Sequence, residues 1–201
     1  MVSTKEKIMR IAVKLFSAKG YDKVSTREIA KAIGINSASI YHHFSSKDEI
    51  LKSLYEFYCE QRYRGRPDLD ELLRLAETHP PHYVLSRTTF HFDEDVSEML
   101  DAILVTAARR ICADAESERF IRENIFEQIE SILKPLMQRM VELKKIKPLD
   151  IDLMLRIICY YCFSAAALNN TPFRHNPEEY HTAMRQIFSM VVVEDVSETD
   201  R

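Results

Sequence analysis

The chain has 201 residues, 46% of them apolar, and a formal net charge of −3, which is enough material for one large domain or two small ones. Only three glycines occur, Gly20, Gly34 and Gly65, too few for phosphate-cradling loops or tight β-hairpins, both of which need positive φ. The composition is rich in Ala, Leu, Ile, Met, Glu, Lys and Arg, so an all-α protein is expected.

The sequence contains no run of about 18 uncharged apolar residues, and no membrane span is expected. The start "MVSTKEKIMR" has no apolar stretch of the signal-peptide type. Cys59, Cys112, Cys159 and Cys162 sit inside helical patterns rather than in a loop-bound framework of the secreted kind. Cys159 and Cys162 form a C-x-x-C, but in "RIICYYCFSAAAL" no second pair lies nearby, which favours reduced core thiols over a redox or zinc site. A cytoplasmic protein is expected.

The net charge conceals an asymmetry. Residues 1–57 carry ten Lys/Arg and six Asp/Glu, and residues 58–201 carry eighteen and twenty-five. A head of +4 on a body of −7 suggests that only the head meets a polyanion.

In chain order, Ile8, Ile11, Ala12, Leu15 and Phe16 have the spacing of an amphipathic helix over 4–19. Gly20 ends it. Ser25 and Glu28 have capping-box spacing at the start of a second helix, whose inner face is Ile29, Ala30 and Ile33 and which Gly34 terminates. Asn36 or Ser37 caps a third helix, roughly 37–44. Ser46 and Glu49 form another capping-box pattern and open a fourth, with Ile50, Leu51, Leu54, Phe57 and Tyr58 on its apolar face. "RGRPD" (64–68) reads as a loop. Further helical segments are expected near 68–78, 81–91, 94–113, 117–146, 149–169 and 177–193. Pro80–Pro81, Phe92–Asp93, Pro148 and "NNTPFRHNP" separate most of them. Pro135 should kink or split the long one, because proline lacks the N–H and clashes with the preceding turn.

Two short helices joined at Gly34 suggest a helix-turn-helix. Ile40 and Phe44, four residues apart, share an inward face. Ala38 and His42 then point away, flanked by Ser39 and Tyr41, and His43 falls near the inward side. Short or hydrogen-bonding side chains suit a helix that enters a major groove. Thr26 and Arg27, at the start of the second helix, can hold the phosphate backbone. Lys47, a cation in the first turn of the fourth helix, is unfavourable for the dipole, and a phosphate would explain it. As metal ligands His42 and His43 are poorly arranged, because adjacent helical residues diverge by about 100°.

The stretch "TREIAKAIGINSASIYHHFSSKDEIL" resembles the DNA-binding signature of TetR/AcrR-type bacterial transcriptional regulators. The matching residues are Thr26, Ile29, Ala30, Ile40, Tyr41, Phe44, Lys47 and Ile50, with Phe16, Gly20 and Tyr21 before them. The resemblance implies a helix-turn-helix DNA-binding domain over 1–47, with helix 48–63 connecting it to a C-terminal ligand-binding and dimerisation domain over 64–201, about nine or ten helices in all. It implies a homodimer on a palindromic operator, controlled by a small-molecule effector. DNA contacts are then expected from Thr26, Arg27, Ser37, Ala38, Ser39, Tyr41, His42, His43 and Lys47, with Tyr41 a phosphate clamp. Ser37 departs from the longer side chain of many members.

In the C-terminal part, "LDIDLMLRIICYYCFSAAALNN" is apolar almost all round, so it should be buried on two sides. Helices 149–169 and 177–193 are the expected dimer interface, with a purely intrachain core as the alternative. Tyr83, Phe90, Met99, Ile103, Phe126, Met137 and Tyr161 are candidates for an effector pocket or for ordinary core. His79, His82, His91, Asp93, Glu94 and Asp95 contain metal-ligand types but read as an exposed helix start. Neither metal nor cofactor is expected. The sequence has no G-x-S-x-G, no H-E-x-x-H and too few glycines for a P-loop or dinucleotide turn, so no enzymatic activity is expected. An activator of the same fold, an effector-independent regulator and an all-α adaptor are the alternatives to a ligand-released repressor.

Overall fold

The computed structural model describes residues 3–64, 67–88, 94–168, 177–189 and 191–192. Its α-helices are Thr4–Lys19 (α1), Thr26–Ile33 (α2), Ser37–Tyr41 (α3), Lys47–Tyr63 (α4), Leu69–Thr78 (α5), Pro81–Ser86 (α6), Glu94–Arg110 (α7), Ala115–Ile121 (α8), Gln128–Glu142 (α9), Ile151–Leu168 (α10) and Pro177–Ser189 (α11). No strand occurs among the described residues, and none of their helices is long and apolar enough to cross a membrane. The expected break at Phe92–Asp93, residues 169–176 of "NNTPFRHNP" and the candidate Phe90 lie outside the described residues, and the last proline of that stretch, Pro177, opens α11.

Capping chemistry accounts for several helix starts. Side chains of Ser3, Ser25, Asn36, Ser46, Asp68 and Asp114 accept hydrogen bonds from backbone N–H groups in the first turns of α1, α2, α3, α4, α5 and α8, satisfying donors that have no partner inside the helix. Asn36, and not Ser37, caps α3. Gly34 ends α2 in the left-handed region, at φ 79° and ψ 28°. The helix expected over 117–146 begins at Ala115, and Pro135 lies inside α9 without splitting it. The departure from regular α geometry comes upstream, as a π-helical stretch at Arg122–Glu127.

By packing, the chain divides into two units. The first comprises residues 1–64, 91–123 and 166–174. Its core joins Ile8, Ala12 and Phe16 of α1 to Ile29, Ile40, Phe44, Ile50 and Leu54, each at most 1% exposed. On α1 the buried side chains also include Met9, Val13 and Ser17, whereas Ile11 and Leu15 are half-buried. The stripe is shifted from the one expected because α7 packs along α1. That second neighbour could not be read from the local pattern. Similarly Tyr55, rather than Phe57, joins the buried face of α4. Its ring stacks on Phe120 at 4.1 Å, and its hydroxyl pairs with that of buried Ser117 at 2.8 Å.

The second unit comprises residues 65–90, 124–165 and 175–201. Its core gathers Leu72, Ala76, Val84, Leu85, Leu136, Met137, Met140, Leu155, Ile158, Met184 and Phe188. Lys145 closes the end of α5, donating to the carbonyls of Ala76, Glu77 and His79 at 2.6–3.0 Å. Cys159 is buried, and burial first, then Cys162 and Glu130, push its thiol up to about 11. Cys112 is exposed in the turn after α7.

Two outcomes test this packing. A Cβ at Gly34 would meet nothing within 4 Å, so Gly34→Ala should cost only the left-handed penalty, about 1–2 kcal/mol in urea unfolding. Burial raises the Tyr55 phenol to about 12, so its contribution is complete below pH 10, its unfolded value, and lost as pH rises towards 12. A Tyr55→Phe variant should therefore lose less stability than the parent between pH 10 and 12, followed by circular dichroism.

Candidate nucleic-acid interface

The candidate interface lies in the first unit. Ile40 of α3 is fully buried and Phe44, just beyond its end, is 1% exposed, so these two side chains fix the helix against the head. Ala38, Tyr41, His42 and His43 are exposed, and Ser37 and Ser39 are half-buried. Tyr41, an aromatic residue, is left 57% exposed. Helix α3 is shorter than expected, ending at Tyr41 rather than near residue 44. The N–H groups of His43 and Phe44 both donate to the carbonyl of Ile40, at 2.9 Å each. His43 is exposed, although its position fell near the inward side, while Phe44 stays inward as its spacing from Ile40 requires.

From α2, Thr26 reaches the same surface, and Arg27 beside it in sequence is exposed. The hydroxyls of Thr26 and Tyr41 lie 3.2 Å apart, so the first residue of α2 and the last of α3 are joined directly. Glu28 does not compete with this surface for cations. Its carboxylate pairs with Lys19 and is held below its ordinary range by that contact first. The Ser25 hydroxyl accepts from the Glu28 N–H at 3.2 Å. At the next helix, Glu49 reaches back to both the backbone N–H and the hydroxyl of Ser45, one residue before the N-cap Ser46.

Lys47 has a different environment from the one its position suggested. Its Nζ donates to the carbonyls of Tyr21 and Val24, each at 3.0 Å, and lies 4.1 Å from the centre of the Tyr21 ring. The same ring takes the Arg110 guanidinium at 4.0 Å, and its hydroxyl donates to Asp48. Burial first, and then the Asp48 hydrogen bond, push the Tyr21 phenol well above its ordinary value. Arg110 also pairs with Asp22 at 3.1 Å, and Arg109 donates to the carbonyl of Ser17 at 2.6 Å. Sequence reasoning missed Arg109 and Arg110. They lie about ninety positions from their partners, and no local pattern carries such a contact.

The structure distributes the effector-pocket candidates between the two units. In the first, Ile103 is core, and Met99 lines a cleft of about 340 Å³ with Lys7, Arg10, Lys14, Ile33 and Glu98. In the second, Met137 belongs to the core cluster and Tyr161 packs against that cluster. Tyr83 is 40% exposed and stacks on His79 at 4.6 Å. Phe126 meets Tyr160 and Phe163 at 6.2 and 6.1 Å. Among the described residues, no group of three or more His, Cys, Asp and Glu side chains is arranged to hold a metal.

Residues 8–54 match the family of bacterial regulatory proteins of the tetR type. The HTH-type transcriptional regulator AcrR of Shigella flexneri is 28% identical over 76% of this chain and 70% of its own length. The biofilm operon icaADBC HTH-type negative transcriptional regulator IcaR of Staphylococcus epidermidis is 42% identical over 47% of this chain, which spans 48% of that protein. The crystal structure of the TetR family regulator PfmR from Thermus thermophilus superposes with a TM-score of 0.58 at 25% identity, covering 91% of this chain and 95% of that one. The buried helix-turn-helix frame with its outward Tyr41 lies within residues 8–54, the segment that matches the tetR-type family, and the chain is a DNA-binding transcriptional regulator.

Proposed function

We propose that the protein is a homodimeric repressor that reads a palindromic operator through α3 and leaves it when a small molecule binds residues 64–201. Residues 1–47 form the reading head and helix 48–63 the connector. The observation that carries the reading is the surface around Tyr41 and Thr26, whose hydroxyls lie 3.2 Å apart in the basic part of the chain. Ser37, Ala38 and Ser39 let the backbone approach base edges, His42 and His43 supply ring N–H donors, and Thr26, Arg27 and Tyr41 hold phosphates. Repression is supported by IcaR, a negative regulator, which shares 42% identity over 94 residues.

The dimer is supported by α10. Leu153, Ile157 and Tyr160 are 51%, 47% and 62% exposed. They follow the i, i+4, i+7 spacing of one helix face, an apolar stripe left largely exposed among the described residues. Among the described side chains of α11 the exposed ones are polar, namely Glu179, Thr182, Arg185, Gln186 and Ser189, whereas α10 exposes apolar ones. The effector arm follows from the family's general scheme, and its site is assigned to the C-terminal part without a named ligand. A cytoplasmic location completes the proposal, since that is where the operator lies.

Three results test it. Binding to a duplex recovered by selection from random-sequence DNA should weaken with salt, log K falling by about 0.9 per neutralised phosphate against log[salt]. Binding that is flat with salt, or equal on all sequences, would sink the reading. Tyr41→Phe should weaken all sites alike, whereas His42→Ala should alter preference between sites. Leu153→Glu combined with Ile157→Glu should convert a dimer to a monomer in sedimentation at micromolar concentration, and a parent chain already monomeric there would refute the dimer.

A further inference from the structure

The turn between α1 and α2 ends in carbonyl groups, and three cations from other helices converge on it. Ser17, near the end of α1, gives its carbonyl to Arg109 of α7 at 2.6 Å. Tyr21 and Val24 give theirs to Lys47 of α4 at 3.0 Å each. Arg110 of α7 pairs with Asp22 and lies over the Tyr21 ring, 4.0 Å from its centre, while Lys47 lies 4.1 Å from the same centre. Cations at carbonyl ends are electrostatically favourable, and cations over an aromatic face add to this. The gripped segment runs directly into Ser25, the N-cap of α2, and then into Thr26 and Arg27.

Lys47 is thus engaged within the chain. A phosphate would have to draw its ammonium away from two carbonyls and a ring. Arg110 is similarly enclosed, its side chain 15% exposed. We propose that Lys47 and Arg110 are positioning residues for operator binding, seating α2 and the attached α3 through Tyr21, and that neither touches a phosphate. The inference rests on the reading that α2 and α3 carry the DNA contacts.

The test uses the full chain and a fluorescent duplex recovered by selection from random-sequence DNA. Kd is measured by anisotropy over a salt series at 25 °C, with the active fraction fixed by stoichiometric titration. Lys47→Gln and Arg110→Gln should each raise Kd about tenfold at unchanged active fraction and unchanged salt slope. Arg110→Lys keeps the charge but not the planar face, and it should recover part of the loss. It also carries the measurement, by the same criteria, if Arg110→Gln does not fold. Arg27→Gln, a proposed phosphate contact, should lower the slope by about 0.9.

A similar fall in slope for Lys47→Gln would make Lys47 a phosphate ligand and overturn the inference. So would an unchanged Kd in both variants, or a reduced active fraction with unchanged Kd, the mark of a merely structural role. An Arg27→Gln variant with parental Kd and slope would instead refute the DNA-contact reading of α2, independently of what Lys47 and Arg110 do.

Discussion

A helix of five residues has no stability of its own. Nucleation is unfavourable, and isolated helices shorter than about 12 residues are marginal in water. Helix α3, Ser37–Tyr41, exists because Ile40 and Phe44 are buried in the head and Asn36 caps its first turn. Every outward residue of the interface depends on those two apolar anchors. The segment can therefore use Ser, Ala and His on its outer side, residues chosen for contact and not for helix propensity.

That dependence passes inward in layers. Ile40 rests on a core built from α1, α2 and α4, and α1 rests in turn on α7. Residues of α7 that are far from the head in sequence thus belong to it physically. Arg109 and Arg110 are the polar counterpart of this packing, holding the turn that launches α2.

The head was largely legible in the sequence, because local rules govern it. The caps Ser25 and Ser46, the glycine at 34 and the inward pair Ile40 and Phe44 all follow from spacing and turn chemistry. What escaped was set by contacts distant in sequence. The burial of Val13 and Tyr55, and the partners of Lys47, need α7, α8 or the turn at Tyr21 to be in place. The exposure of His43 also escaped, and the helix ends at Tyr41, about three residues short of the expected end. In the C-terminal part the apolar pattern of α10 was plain, but which of its residues face outward was not. Leu153, Ile157 and Tyr160 are no different in type from the buried Leu155 and Ile158 beside them.

The cysteines, unimportant to any of this, differ sharply in their surroundings. The Cys159 thiol is buried and pushed up to about 11, which keeps thiolate scarce at neutral pH and makes the site inert to alkylating reagents. Cys112 stands exposed two positions beyond Arg110. A maleimide dye offered to the native chain will thus find that thiol far sooner than Cys159. The end of α7 carries a natural attachment point for a spectroscopic reporter, beside the turn that seats the reading head, with no engineered cysteine needed there.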